Sequence, residues 1–224
     1  MIPIGDDNSA RRITPVVTYV LIALNVLVFF LELNNGEAFI QRWAFVPSRF
    51  LADPVGDFAT LFTAMFLHAG WAHLLGNMLY LWIFGDNVED RLGHVLYFVF
   101  YILCGLAATF AQLAISLGSD VANVGASGAI AGVLGAYLIM FPRGTVNVLV
   151  GRFVTRTSAL VAIGLWILLQ IFSQINVFAA GSQAEGGVAY MAHIGGFVAG
   201  VVLAFLLGGG RRALPPTTSI RRGY

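Results

Sequence analysis

Apolar positions gather into six runs, at roughly 14–33, 71–85, 93–116, 127–141, 159–177 and 188–208, with polar stretches between them. A bilayer core takes about 20 residues of helix, so the pattern predicts an all-α membrane protein with six transmembrane helices. The second and fourth runs are short for a full crossing and are expected to start or stop within the hydrocarbon. No internal repeat interrupts the series. One domain, 14–208, is therefore expected between a polar tail at 1–13 and another at 209–224, both flexible. The first run opens with Thr14 as a cap and Pro15 at the first helical position. It is too long for the apolar part of a secretory signal, and no small-residue cleavage site follows, so it reads as a retained anchor.

Composition strengthens this picture. The chain is 58% hydrophobic and 10% charged, whereas a soluble domain carries about 25% charged residues. A net charge of +1 gives no reason to expect nucleic acid as a partner; the partner is the lipid bilayer. Every basic residue is arginine, and their placement sets the orientation. With six spans and the amino terminus inside, the inner segments hold Arg11, Arg12, Arg91, Arg143, Arg152, Arg156, Arg211, Arg212, Arg221 and Arg222. The outer segments hold Arg42 and Arg49 alone. Both termini are thus expected in the cytoplasm of a multi-pass cell-membrane protein, most simply in a bacterial inner membrane.

That orientation brings chemistry to one depth. The second, fourth and sixth runs all cross from outside to inside, and His73, Asn77, Ser127 and His193 lie near their starts. At a rise of about 1.5 Å per residue, all four fall within roughly two turns of the outer mouth. Taken singly, each has a plain structural reading. Gly125, Gly128, Gly132 and Gly135 share a helical face, the usual packing surface of membrane helices, and Ser127 fits there as one more small residue. His193, Gly196 and Gly200 form a similar face. Together they say more: two glycine-lined helices can approach closely, and their faces carry a serine and a histidine at matching depth. A serine hydroxyl becomes a nucleophile when a base lies within hydrogen-bond reach, and His193 can take that proton and return it to a leaving amine.

The eleven acidic residues all fall in tails, loops or span ends, so a dyad is expected rather than a triad. His73 and Asn77, four apart, can donate to an oxyanion, as can the backbone N–H groups at the helix start of Ser127. The small Gly125 and Ala126 leave room for a substrate carbonyl to approach that backbone. No metal is expected. His68 and His73 are five apart, off the spacing of a helical zinc pair, and the lone cysteine, Cys104, sits in an apolar run as a packing residue.

These residues resemble the rhomboid intramembrane serine proteases over roughly residues 58–206. Phe62-Thr63-Ala64-Met65-Phe66-Leu67-His68 followed by His73-x-x-x-Asn77 is similar to the family's second-helix signature, and Gly85–Gly93 to its cytoplasmic turn. Gly125-Ala126-Ser127-Gly128 matches its G-x-S-G, and Ala192-His193-x-x-Gly196-x-x-x-Gly200 its sixth-helix motif. The resemblance implies a Ser127–His193 dyad, oxyanion donors at His73, Asn77 and the Ser127 N–H, and no cofactor. It also implies a six-helix bundle whose short fourth helix holds the serine below the outer surface in a water-filled cavity. Substrates would be transmembrane proteins, cut within or beside a spanning helix. His68 is expected to be structural. Two positions depart from the family pattern. Ala59 and Thr60 stand where many members carry Trp-Arg, with Arg42-Trp43 as a nearby substitute, and Ala131 replaces an aromatic that stacks on the histidine. The loop 178–187 and the fifth span form a candidate lateral gate. A catalytically inactive relative that binds transmembrane segments is the alternative. A small transporter would need intramembrane carboxylates or arginines, which the spans lack.

Overall fold

A computed structural model describes residues 1–9, 11–179 and 188–207. In chain order its elements are β1 (Ile2–Asp6), α1 (Val16–Asn35), α2 (Glu37–Trp43), α3 (Pro47–Ala52), α4 (Thr60–Thr63), α5 (Trp71–Tyr80), α6 (Asp86–Leu92), α7 (His94–Ile115), α8 (Ser127–Met140), β2 (Thr145–Val150), β3 (Phe153–Ser158), α9 (Ala159–Ala179) and α10 (Tyr190–Leu206). Helices α1, α7 and α9 are long and apolar enough to cross a bilayer, while α8 and α10 are shorter apolar helices. The second apolar run does not stop at residue 85: α5 continues through a π-helical turn, Leu81–Gly85, into α6. The tail 209–224 and most of the loop 178–187 lie outside the described residues.

Helix α8 is the centre of the protein, with every residue from Gly128 to Tyr137 buried. It packs chiefly against α7 and α10. Its glycines make this possible. A Cβ on Gly132 would lie 2.5 Å from the Cβ and sulfur of Cys104 in α7, and one on Gly135 would lie 2.5 Å from the Phe197 carbonyl oxygen in α10. From the other side, Gly196 and Gly200 of α10 rest directly on the carbonyl oxygens of Gly128 and Gly132. Backbone meets backbone, the arrangement that small residues permit between membrane helices. Cys104 is fully buried in this seam.

The turn after the second run caps the first helix. Pro15 immediately precedes α1, and no side chain of its own segment caps that end. Glu89 does so instead, accepting the N–H groups of Val17 and Thr18 at 2.9 and 2.7 Å and the Thr18 hydroxyl at 2.7 Å. A carboxylate there satisfies orphan donors and complements the helix dipole. Asp90 takes the N–H groups of Arg12 and Ile13, both at 2.7 Å, and Arg11 pairs with Asp86 at 2.9 Å.

The chain is not wholly helical, and its first residues are not a loose tail. Strands β1, β2 and β3 form an antiparallel sheet in that order. In β2 the alternation of Val146 and Val148 with polar or exposed neighbours buries those two valines completely. Asp6 joins the sheet to the helices: its Oδ2 accepts from the Tyr137 hydroxyl of α8 and from Asn87 Nδ2, each at 2.8 Å. Burial, with the Asp86 and Asp7 carboxylates adding to it, pushes the Asp6 carboxyl up to about 6. A raised acid favours its neutral form in the folded state. Its stabilisation is therefore complete below about pH 4 and is lost as pH rises through about 6. Asp6→Asn, fixed neutral, is expected to match the wild type near pH 4 and to exceed it by about 1–2 kcal/mol at pH 7. Denaturation midpoints across that range check this, and a gap that does not vary with pH contradicts it.

Outside the bundle, α2–α4 form a compact loop. Arg49 holds it together: it pairs with Asp57 at 2.7 Å and donates to the carbonyls of Gln41 and Ala44. Arg42 instead lies over its neighbour Trp43, 5.6 Å from the ring centroid. The loop reaches the segment ahead of α8 through paired backbone bonds between Phe45 and Asn123, at 3.2 and 2.8 Å.

Candidate active site

Ser127 is the first residue of α8 and His193 lies in the first turn of α10. The close glycine contact between these helices brings His193 Nε2 to 2.7 Å from Ser127 Oγ. In the first turn of α8 the earliest intrahelical donor is Ile130 N–H, bonded to the Ala126 carbonyl at 3.0 Å. The N–H groups ahead of it have no partner within the helix.

The approach to Ser127 is shaped by Gly125. Its N–H donates to the Ala64 carbonyl at 2.8 Å, which pins the segment, and its φ of +126° lies where glycine is favoured. A Cβ there would fall 2.8 and 2.9 Å from His73 Cε1 and Nε2 and 3.6 Å from Ser127 Oγ. The volume between His73 and Ser127 is thus the side chain that Gly125 lacks. Ala69 N–H approaches His73 Nδ1 at 3.4 Å. With Nδ1 accepting, the ring proton sits on Nε2, the atom that borders this volume.

Asn77 lies in a different environment from the one its spacing suggests. It is buried, and its Nδ2 is 2.9 Å from His68 Nε2, while His68 Nδ1 is 3.3 Å from the Phe66 carbonyl. The carbonyl can only accept, so His68 donates from Nδ1 and receives the Asn77 amide at Nε2. One Asn77 proton is thereby committed to His68. The His68 ring also packs edge-on to His73, centroids 5.0 Å apart. His68 N–H in turn donates to buried Glu32 at 3.0 Å. His68 therefore ties the two predicted donors to each other and to α1.

Two residues of α9 complete the surroundings of His193. The Trp166 ring lies against the imidazole, centroids 5.6 Å apart and 38° between planes. Gln170 Oε1 lies 2.8 Å from His193 Nδ1. An aromatic against the histidine is therefore present, though it comes from a separate helix and not from the position of Ala131. Trp166, Gln170 and buried Gln174 recur every fourth residue, so they share one face of α9. That polar spacing in an apolar run is the sequence signal that was available.

A cavity of about 50 Å³ adjoins Ser127, with Gly125, Ala108, Thr109, Gln112 and Asn123 among its lining. Gln112 Oε1 is buried and has no hydrogen-bond partner among the described residues. The volume and these polar groups suit more than one water molecule. No group of three His, Cys, Asp or Glu side chains among the described residues is placed to hold a metal ion.

The family model for the rhomboid domain matches residues 55–210. Among curated proteins, the chain is 32% identical over 196 residues to the rhomboid protease GluP of Bacillus subtilis, covering 87% of this chain and 35% of that protein. It is 29% identical to the putative rhomboid protease YdcA of the same organism, covering 87% and 89% of the two chains. It is 28% identical to the mitochondrial rhomboid protein 1 of Saccharomyces cerevisiae, covering 84% of this chain and 52% of the other. The chain thus spans about a third of GluP and about half of the yeast protein, but most of YdcA. With Ser127 of α8 and His193 of α10 brought into contact, His73 of α5 beside Gly125, and a family match across most of the helices, this chain belongs to the rhomboid family.

Proposed function

We propose that this protein is an intramembrane serine endopeptidase that cleaves transmembrane proteins within or near a spanning helix. The 2.7 Å approach of His193 Nε2 to Ser127 Oγ carries this reading. Ser127 attacks the scissile carbonyl as His193 takes its proton. Negative charge then develops in the volume beside Gly125, bordered by His73 Nε2, with the free N–H groups that open α8 as further donors. His193 returns the proton to the leaving amine, and water from the adjoining cavity hydrolyses the acyl-enzyme. In this reading six helices cross the membrane, both termini are cytoplasmic, and the site opens toward the outer face, in keeping with the arginine distribution. A bacterial plasma membrane is the proposed location.

The test is reconstitution of the purified protein in vesicles with a model transmembrane substrate and mass analysis of the products. Cleavage inside or beside the spanning segment is the expected result. An inactive relative would bind the segment without cutting it. Asn77→Ala is expected to be a partial defect of about 10- to 100-fold in kcat, because His73 and the backbone donors remain. Single-turnover rates measure it, and a loss as deep as that of Ser127→Ala contradicts the shared-donor arrangement.

A further inference from the structure

Nδ1 of His193, the imidazole nitrogen turned away from Ser127, faces Gln170 Oε1 of α9 at 2.8 Å. The same amide's Nε2 lies 3.4 Å from the Trp166 carbonyl. That second contact fixes the amide's orientation, since reversing it would set two acceptor oxygens against each other. Oε1 must therefore face Nδ1, and the Nδ1 proton donates to it. The proton on Nδ1 leaves Nε2 with its lone pair directed at Ser127 Oγ, which is the tautomer a general base requires. The opposite tautomer would present N–H to the hydroxyl and could not accept its proton.

We propose that Gln170 is a positioning residue for His193, holding the imidazole in its base-competent tautomer while the Trp166 ring fixes its plane. The assignment rests on the hydrolase reading above. Gln170 fills the place of a third member with an amide, which carries no charge and so avoids the cost of a carboxylate at this depth. It also makes the dyad depend on α9. Much of that helix is exposed along Leu165, Leu168, Leu169 and Phe172, and Gln170 is among its few polar contacts with α10.

A purely structural role for Gln170, as an interhelical hydrogen bond, has to be separated from this one. The full-length protein in vesicles is treated with a fluorophosphonate, which phosphonylates an activated serine. The Oγ–P bond forms, the P–F bond breaks, and His193 takes the hydroxyl proton. Labelling rate, kcat, KM and thermal midpoint are measured for wild type, Gln170→Met and Gln170→Glu. Met keeps the length but offers no oxygen, and is expected to lower kcat and the labelling rate together by about 10- to 100-fold with KM unchanged. Glu keeps an acceptor at the same reach. It is expected to restore labelling to within a few-fold and to move the acid limb of the pH–rate profile to higher pH. Wild-type labelling of Gln170→Met with a lowered thermal midpoint overturns the proposal. If Gln170→Met does not fold, the pH profile of Gln170→Glu decides alone, and an unmoved acid limb overturns it. A wild-type protein that neither labels nor cleaves refutes the hydrolase reading itself, a failure distinct from that of Gln170.

Discussion

Ser127→Ala is expected to abolish cleavage, lowering kcat by roughly 10⁴-fold or more, and His193→Ala to do nearly the same. The local inventory explains the depth of the loss. The other hydroxyl lining the cavity, that of Thr109, donates to the Gly105 carbonyl at 3.1 Å and sits one helix away. Among the described residues no second base contacts Ser127 Oγ: the His73 ring is already oriented by Ala69 and borders the oxyanion side. Because the two residues act as a unit, the double variant is expected to be no worse than either single one. Ser127→Ala removes a single atom from the lining of a cavity, so its thermal midpoint should stay close to wild type. Cleavage by Ser127→Ala within tenfold of wild type would refute the nucleophile assignment.

The second large effect is expected from Gly196→Ala, which touches no reacting group. Its added methyl would overlap the Gly128 carbonyl oxygen and carbon. Those are backbone atoms in the first turn of α8, so no side chain can swing aside. The helices must part; Ser127 opens the same first turn of α8, and His193 lies three residues before Gly196 on α10. A separation of about 1 Å takes a 2.7 Å hydrogen bond out of range. Such a displacement costs about 100-fold in rate, and the strain costs about 1–3 kcal/mol in stability. Gly164→Ala in α9 is the control, since a methyl there meets nothing within 4 Å. Activity and unfolding measurements on both variants test this, and a fully active Gly196→Ala would contradict the close-contact account.

The glycine faces of α8 and α10 were legible because they sit on local spacings of three and four within single helices. Contacts between distant segments were not. Gln170 and Trp166 carry the right period, yet nothing in α9 states that its face meets His193 twenty-three residues later. The family pattern puts the aromatic on the helix of Ser127, whereas packing needs only a ring against the imidazole, whichever helix supplies it. Strand β2 shows its alternation in Val146 and Val148, but its partner β1 lies at the other end of the chain. The role of Arg49 likewise depends on carbonyls exposed only once α2 and α3 have formed.

The bond from Tyr137 to Asp6 now takes on a metric meaning. Helix α8 has 14 residues, with the serine at its head and Tyr137 near its foot, where the sheet grips it. At about 1.5 Å per residue, such a rod is about 21 Å long. A hydrocarbon layer of about 30 Å exceeds it by about 9 Å. In the proposed orientation, with the foot held at the cytoplasmic face, that difference is the depth of the serine beneath the outer surface. The reaction depth is then a subtraction of two lengths, one set by lipid and the other by an anchored helix.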